Sequence, residues 1–179
     1  MKPVDQLKEE YETIARYLTE TNQISLLSDL NKSFRKILLL SAGSYFEYEI
    51  TRVLSDYVAK ATNGDERLIN FLQKQAISGK YFQLFDWGKQ DEPDKFGDNA
   101  NKFWSFFGAN FKVQVSAEIK SDNSISKSIA AFLQIGHLRN ILVHSNFAAY
   151  NYDQKTTDEI YNLYTEAVPF IDYLRQKFN

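Results

Sequence analysis

Residues 34–50, "FRKILLLSAGSYFEYEI", decide the fold. Wound at about 100° per residue, this stretch is apolar on nearly every side, as a helix enclosed by other helices must be. It belongs to a longer periodic segment from about Leu26 to Ala61, and Asn63-Gly64 in "TNGD" marks its stop. Upstream, Val4, Leu7, Tyr11, Ile14, Ala15 and Leu18 recur at helical spacing between charges, predicting a helix over 4–21. Downstream, a shorter helix is expected from Asp65 to Ala76. It is followed by "SGKYFQLFDWGKQDEPDKFGD", whose glycines, proline and clustered charges read as an aromatic-rich loop. "NANKFWSFFG" predicts a short helix ending at Gly108, whereas "FKVQVSAEI" alternates like a strand but stands isolated, which favours helix. A further long helix is expected from near "SDNSIS" to about Ser145 or Asn146. After the turn "NFAAYNYDQK", Thr156 and Glu159 have the capping-box spacing and open a last helix to about Lys177, which Pro169 should kink. The architecture predicted is an all-α bundle in one domain over 1–179. Four long helices form it, with a helical and aromatic insertion at about 77–121 between the second and third of them.

Composition narrows the function classes. A chain of 179 residues can bury a real core, and 44% hydrophobic content with only seven glycines and three prolines excludes disorder. The net charge of −2 exerts no long-range pull on nucleic acid, so any RNA contact would need a local basic patch. The absence of cysteine excludes disulfides and thiolate metal sites and is compatible with a reducing cytoplasm. The polar start "MKPVDQLKEEYE" does not read as a signal peptide, and "ILLLSAG" falls far short of the roughly 20 residues of a membrane span. The expectation is a soluble, cytoplasmic protein with no membrane partner.

Both histidines of the chain lie in "GHLRNILVHSNF", residues 136–147. On a helical wheel Ala131, Phe132, Ile135, Leu138, Leu142 and Val143 share an apolar face with Arg139 near its middle. His137, Asn140 and His144 fall together on the opposite side. The bland readings come first: a helix histidine is ordinarily hydrogen-bonded or on the surface, and an arginine in an apolar stripe is ordinarily half of an ion pair. The central helix offers that partner. Leu40, Gly43, Glu47, Ile50 and Leu54 recur at three- and four-residue steps, an apolar stripe broken by one carboxylate. Buried charges persist when paired, so Glu47 and Arg139 are expected to meet, with Glu49, Arg35 and Arg52 nearer to solvent. A metal centre fits poorly, because residues 137 and 144 stand about 10 Å apart along a helix and no HExxH or carboxylate set is present. No G-x-S-x-G, P-loop or G-x-G-x-x-G occurs, and no cofactor is expected.

Arg139, Asn140 and His144 spell R-N-x-x-x-H. On the penultimate long helix of an all-α bundle, with "SYFEYEI" on the central helix, this motif resembles the HEPN superfamily. "FLQIGHLRNILVHSNFA", preceded by "NANKFWSFFG", is most similar to its RiboL-PSP-HEPN or MAE-like branches of small bacterial proteins. The resemblance covers the chain from the central helix to the C-terminus. It implies a metal-independent endoribonuclease of toxin–antitoxin or antiviral systems that works as a homodimer, with an antitoxin or other protein as a possible regulator. Carried over by position, Arg139 and His144 are the catalytic pair, Asn140 is the polar residue after the arginine, Glu47 is a supporting acid, and His137 is at best accessory. Some relatives carry His-x-Tyr with a modifiable tyrosine; here Ser145 and Asn146 follow His144, so that regulation is not expected.

The chemistry agrees with these residue types. RNA carries its own nucleophile, the 2′-OH, so cleavage needs a proton acceptor, charge stabilisation at phosphorus and a donor for the 5′-oxygen. Histidine side chains ordinarily titrate near pH 6.5 and can do the proton work, and a guanidinium can clamp a phosphate. One imidazole cannot readily serve as both base and acid, and two copies of the motif across a dimer axis would supply both. One geometric difficulty stands: five residues turn Arg139 by about 140° from His144, so a bend or a reaching arginine is required. Trp87 and Trp104, with Tyr81, Phe82 and Phe85, are candidates for stacking on bases, and Lys102 leads a group of insertion lysines. Core packing and a solvated face are the default readings of both sets. Two alternatives stay open: a non-catalytic HEPN module that binds a partner protein or nucleotide, and a scaffold with a purely structural Arg–Glu pair.

Overall fold

The computed structural model describes residues 2–179 apart from 90, 91, 93, 146, 148–151, 153 and 154. Eight α-helices occur among the described residues and no strand: α1 Pro3–Glu20, α2 Ile24–Ala61, α3 Glu66–Leu72, α4 Tyr81–Leu84, α5 Asn101–Ser105, α6 Ala109–Ser121, α7 Asn123–His144 and α8 Thr157–Lys177. A π-helical turn, Gln73–Ile77, follows α3 directly. The four long helices α1, α2, α7 and α8 form the bundle, and the short elements lie between α2 and α7 in the chain. The turn "NFAAYNYDQK" and the alternative α7 end at Asn146 lie largely outside the described residues.

Helix α2 is central, as its all-round apolarity requires, and it packs against α1, α7 and α8. Leu38, Leu39, Ala42, Phe46 and Ile50 have no exposed surface. Phe46 meets Phe132 of α7 edge-on at 5.5 Å and Tyr164 of α8 at 5.8 Å, so one ring ties three helices together. The segment with strand-like alternation is helical, within α6, with Val115 buried and Val113 exposed. With no strand beside it, only a helix satisfies its backbone locally. The capping box at Thr156 forms as expected, the Glu159 amide donating to the Thr156 hydroxyl at 3.2 Å and the Thr156 amide to the Glu159 carboxylate at 2.7 Å.

Helix α8 runs unbroken through Pro169. The proline supplies no N–H of its own, and the next amide, that of Phe170, donates to the Ser128 hydroxyl at 2.9 Å. Ser128 in turn donates to the Ala167 carbonyl at 3.1 Å, so one buried hydroxyl on α7 serves both sides of the proline. Ser128→Ala is expected to cost about 1–3 kcal/mol in urea unfolding, because it removes both partners inside the core.

One expectation about charge is corrected here. Glu49 is not near solvent but 8% exposed, and it pairs with Arg175 of α8, which also binds Asp172 at 2.8 Å. The stripe facing α7 shows only one side of α2, and α8 covers the side that carries Glu49.

Candidate functional site

Helix α7 opens on Asp122, whose carboxylate accepts from the amides of Ser124 at 2.9 Å and Ile125 at 3.3 Å. The Ser124 hydroxyl and these amides hold the Asp122 carboxyl below its ordinary range. From Ile129 to Leu142 the helix is buried almost all round. The two-faced helix of the wheel is therefore corrected, since His137 and Asn140 are buried with the apolar residues at 1% and 8% exposure. The covering layer is the segment that begins with α4. Trp87 lies directly on Gly136, where a Cβ would come within 2.0 Å of the indole. The Trp87 N–H donates to the Phe82 carbonyl at 2.9 Å, and its rings contact Phe85 and Phe132 at 5.2 and 5.4 Å.

Between this layer and the last turns of α7 lies a cleft of about 480 Å³, lined by Arg139, Asn140 and His144 with His137, Phe82 and Trp87. Helix α7 continues without interruption to His144, so no break in it brings the motif residues together. The reach of the arginine does. Its stem crosses Gly43 of α2, where a Cβ would stand 3.0 Å from the Arg139 Cγ, and its guanidinium carbon lies 4.2 Å from the centre of the Phe82 ring. Such a cation–π contact contributes about 0.5–2 kcal/mol. Glu47 of α2 faces the guanidinium at 3.8 Å, an ion pair too long to be a hydrogen bond. The guanidinium makes no hydrogen bond among the described residues, so its donors are free to bind an anion in the cleft. Glu47 and Arg139 are thus brought together, in a part-exposed setting where the side chains keep 38% and 21% of their surface. Beneath them burial pushes the Tyr81 phenol well above its ordinary range, the Glu47 carboxylate adding to the shift and Arg139 opposing it.

His144 is the last residue of α7 and is exposed, with no hydrogen bond or ion pair among the described residues. Asn140 lines the cleft, and its amide has no hydrogen-bond partner among the described residues. His137 differs: its Nε2 lies 3.2 Å from the Glu92 carbonyl, which can only accept, so Nε2 carries the proton. That imidazole holds the covering segment onto α7. The stacking expectation fails for Trp104, which has no exposed surface and packs edge-on against Phe170 at 6.2 Å, outside the cleft. Trp87 reaches the cleft as a wall, 8% exposed and tied down on both sides, and not as a free platform. Lys102 stands at the rim, its ammonium donating to the Phe85 carbonyl at 3.3 Å. Gly43, which periodicity shows only as part of an apolar stripe, and Gly136, which it passes over, shape the site through their missing side chains. Each is a glycine inside a helix, which costs about 1 kcal/mol against alanine, and that cost was the available signal.

No group of three or more His, Asp or Glu side chains that could hold a metal ion occurs among the described residues, and no helix there is long and apolar enough to cross a membrane. No curated protein and no solved structure matches the chain. The family model RiboL-PSP-HEPN matches residues 5–179, nearly all of the chain, including the central helix and the whole R-N-x-x-x-H motif. The chain belongs to the RiboL-PSP-HEPN family of the HEPN superfamily.

Proposed function

We propose that the protein is a metal-independent endoribonuclease of a toxin–antitoxin or antiviral defence system, acting as a homodimer in the cytoplasm. The observation that carries this reading is a single cleft lined by both the Arg139 guanidinium and the His144 imidazole, neither of which is hydrogen-bonded to protein among the described residues. An RNA phosphate beside Arg139 replaces water around the guanidinium, and its negative charge is bound more tightly as it builds up at phosphorus. The 2′-oxygen attacks phosphorus as one imidazole takes its proton. The bond to the 5′-oxygen breaks as a second imidazole, His144 of the other protomer, gives that oxygen a proton. The products are a 2′,3′-cyclic phosphate and a 5′-hydroxyl, with no net change in protons. Asn140 offers an amide to a phosphate oxygen or a base edge. Lys102 adds the local positive charge that the net charge does not provide.

The test is incubation of the purified protein with RNA in excess EDTA, with end-group analysis of the fragments. Cyclic-phosphate ends with undiminished turnover support the reading; cleavage that disappears on chelation, or 5′-phosphate products, overturn it. The alternative, a non-catalytic HEPN module that holds a nucleotide or partner protein in the cleft, draws on the aromatic walls Phe82 and Trp87. It predicts binding with no RNA turnover in the same experiment.

A further inference from the structure

Helix α4 separates two cavities. One is the cleft just described; the other, of about 460 Å³, has none of the motif residues in its walls. Four observations set this second cavity apart from a packing defect. Its volume lies in the small-molecule range, and its body is apolar, formed by Leu54, Val58, Ile77, Leu84 and Phe107. Lys80 stands in that wall, half-buried, and its ammonium makes no ion pair or hydrogen bond among the described residues. It is the one charged residue among the described residues that line the cavity, so the wall favours an anionic over a cationic ligand. The wall also includes the π turn Gln73–Ile77, where the Ser78 amide reaches back to the Gln73 carbonyl at 2.7 Å. Such turns sacrifice helical regularity and concentrate at functional sites. At the mouth, Phe106 leaves 59% of its surface in water, an apolar area that a bound hydrocarbon would cover.

We propose that this cavity binds a small apolar carboxylate, hydrocarbon inward and carboxylate on Lys80, and that its occupancy is transmitted through α4 to Arg139. The coupling path is short. Leu84 faces the apolar cavity, and Phe82, in the same four-residue helix, lies under the Arg139 guanidinium. A ligand that displaces Leu84 must therefore move the ring on which the guanidinium rests. The effect on RNA cleavage rests on the ribonuclease reading above; the binding site does not.

Calorimetric titration with octanoate, octanol and octylammonium tests the site. Octanoate should bind best and octylammonium least. Lys80→Gln should weaken octanoate by about tenfold and erase the head-group preference, the loss of one charge-assisted contact. Ala76→Trp, at an exposed position of the π turn, should fill the cavity and abolish binding with helicity unchanged. Absence of octanoate binding, equal binding of the three head groups, or insensitivity to Lys80→Gln overturns the site. So does a change of oligomeric mass on Ala76→Trp without octanoate binding to the wild type, which would make the cavity a protein contact. Amide NMR shifts read the coupling: octanoate should move Phe82 and Arg139 in the wild type and neither in Ala76→Trp. Shifts confined to the cavity overturn the coupling. Shifts that reach Arg139 in a protein that cleaves no RNA leave this site standing and remove the ribonuclease reading instead.

Discussion

Replacing His144 by alanine is expected to lower RNA cleavage by about a thousandfold or more, the scale of lost proton transfer, while stability stays within about 0.5 kcal/mol. The two effects separate because His144 is exposed at the end of α7 and has no partner among the described residues whose loss would loosen the fold. Arg139→Ala should reduce cleavage comparably and also destabilise the protein by about 1–2 kcal/mol. It strips the cation from the Phe82 ring and leaves Glu47 without its counter-charge. Arg139→Lys tests what the guanidinium contributes: it keeps the charge but loses the planar donor fork, so cleavage should remain low while stability partly recovers. Cleavage rates with circular dichroism melts on the three variants check all of this. A silent His144→Ala beside an unfolded Arg139→Ala would support the purely structural ion pair and end the catalytic assignment.

Gly136→Ala is expected to destabilise the protein by about 2 kcal/mol, although alanine is the better helix former by about 1 kcal/mol. The added methyl would sit 2.0 Å from the Trp87 ring, and that ring cannot swing away freely. Its N–H is held by the Phe82 carbonyl, and Tyr81, Phe85 and Phe132 pack around it. Something must shift, and the segment that forms one wall of the cleft is the part able to do so. Melting should fall by roughly 4–8 °C for a chain of this size. A Trp87→Leu, Gly136→Ala double variant should lose less than the sum of the single variants, because the leucine removes the collision. Additive losses would show that the glycine serves some other purpose.

The same contact shows where sequence reasoning stops. The all-round apolarity of 34–50 placed α2 at the centre, the Thr156–Glu159 spacing placed the start of α8, and the opposite charges on two apolar stripes paired Glu47 with Arg139. All three follow from local periodicity, capping chemistry or the cost of burying an unpaired charge, which a linear sequence carries in full. The chain alone thus determined the helical bundle, the motif at the end of its penultimate long helix, and the ion pair between that helix and the central one. The wheel cannot say what covers each face. His137 and Asn140 turned inward because the layer that carries Trp87 and Glu92 lies against α7, Glu49 was buried because α8 lies on its side of α2, and Trp104 became core instead of a stacking platform. Only the tertiary structure decided these, and with them the shape of the cleft. They depend on contacts between residues far apart in the chain, such as Trp87 with Gly136 and Gly43 with Arg139, whose fit is set by backbone approach and leaves no period to read.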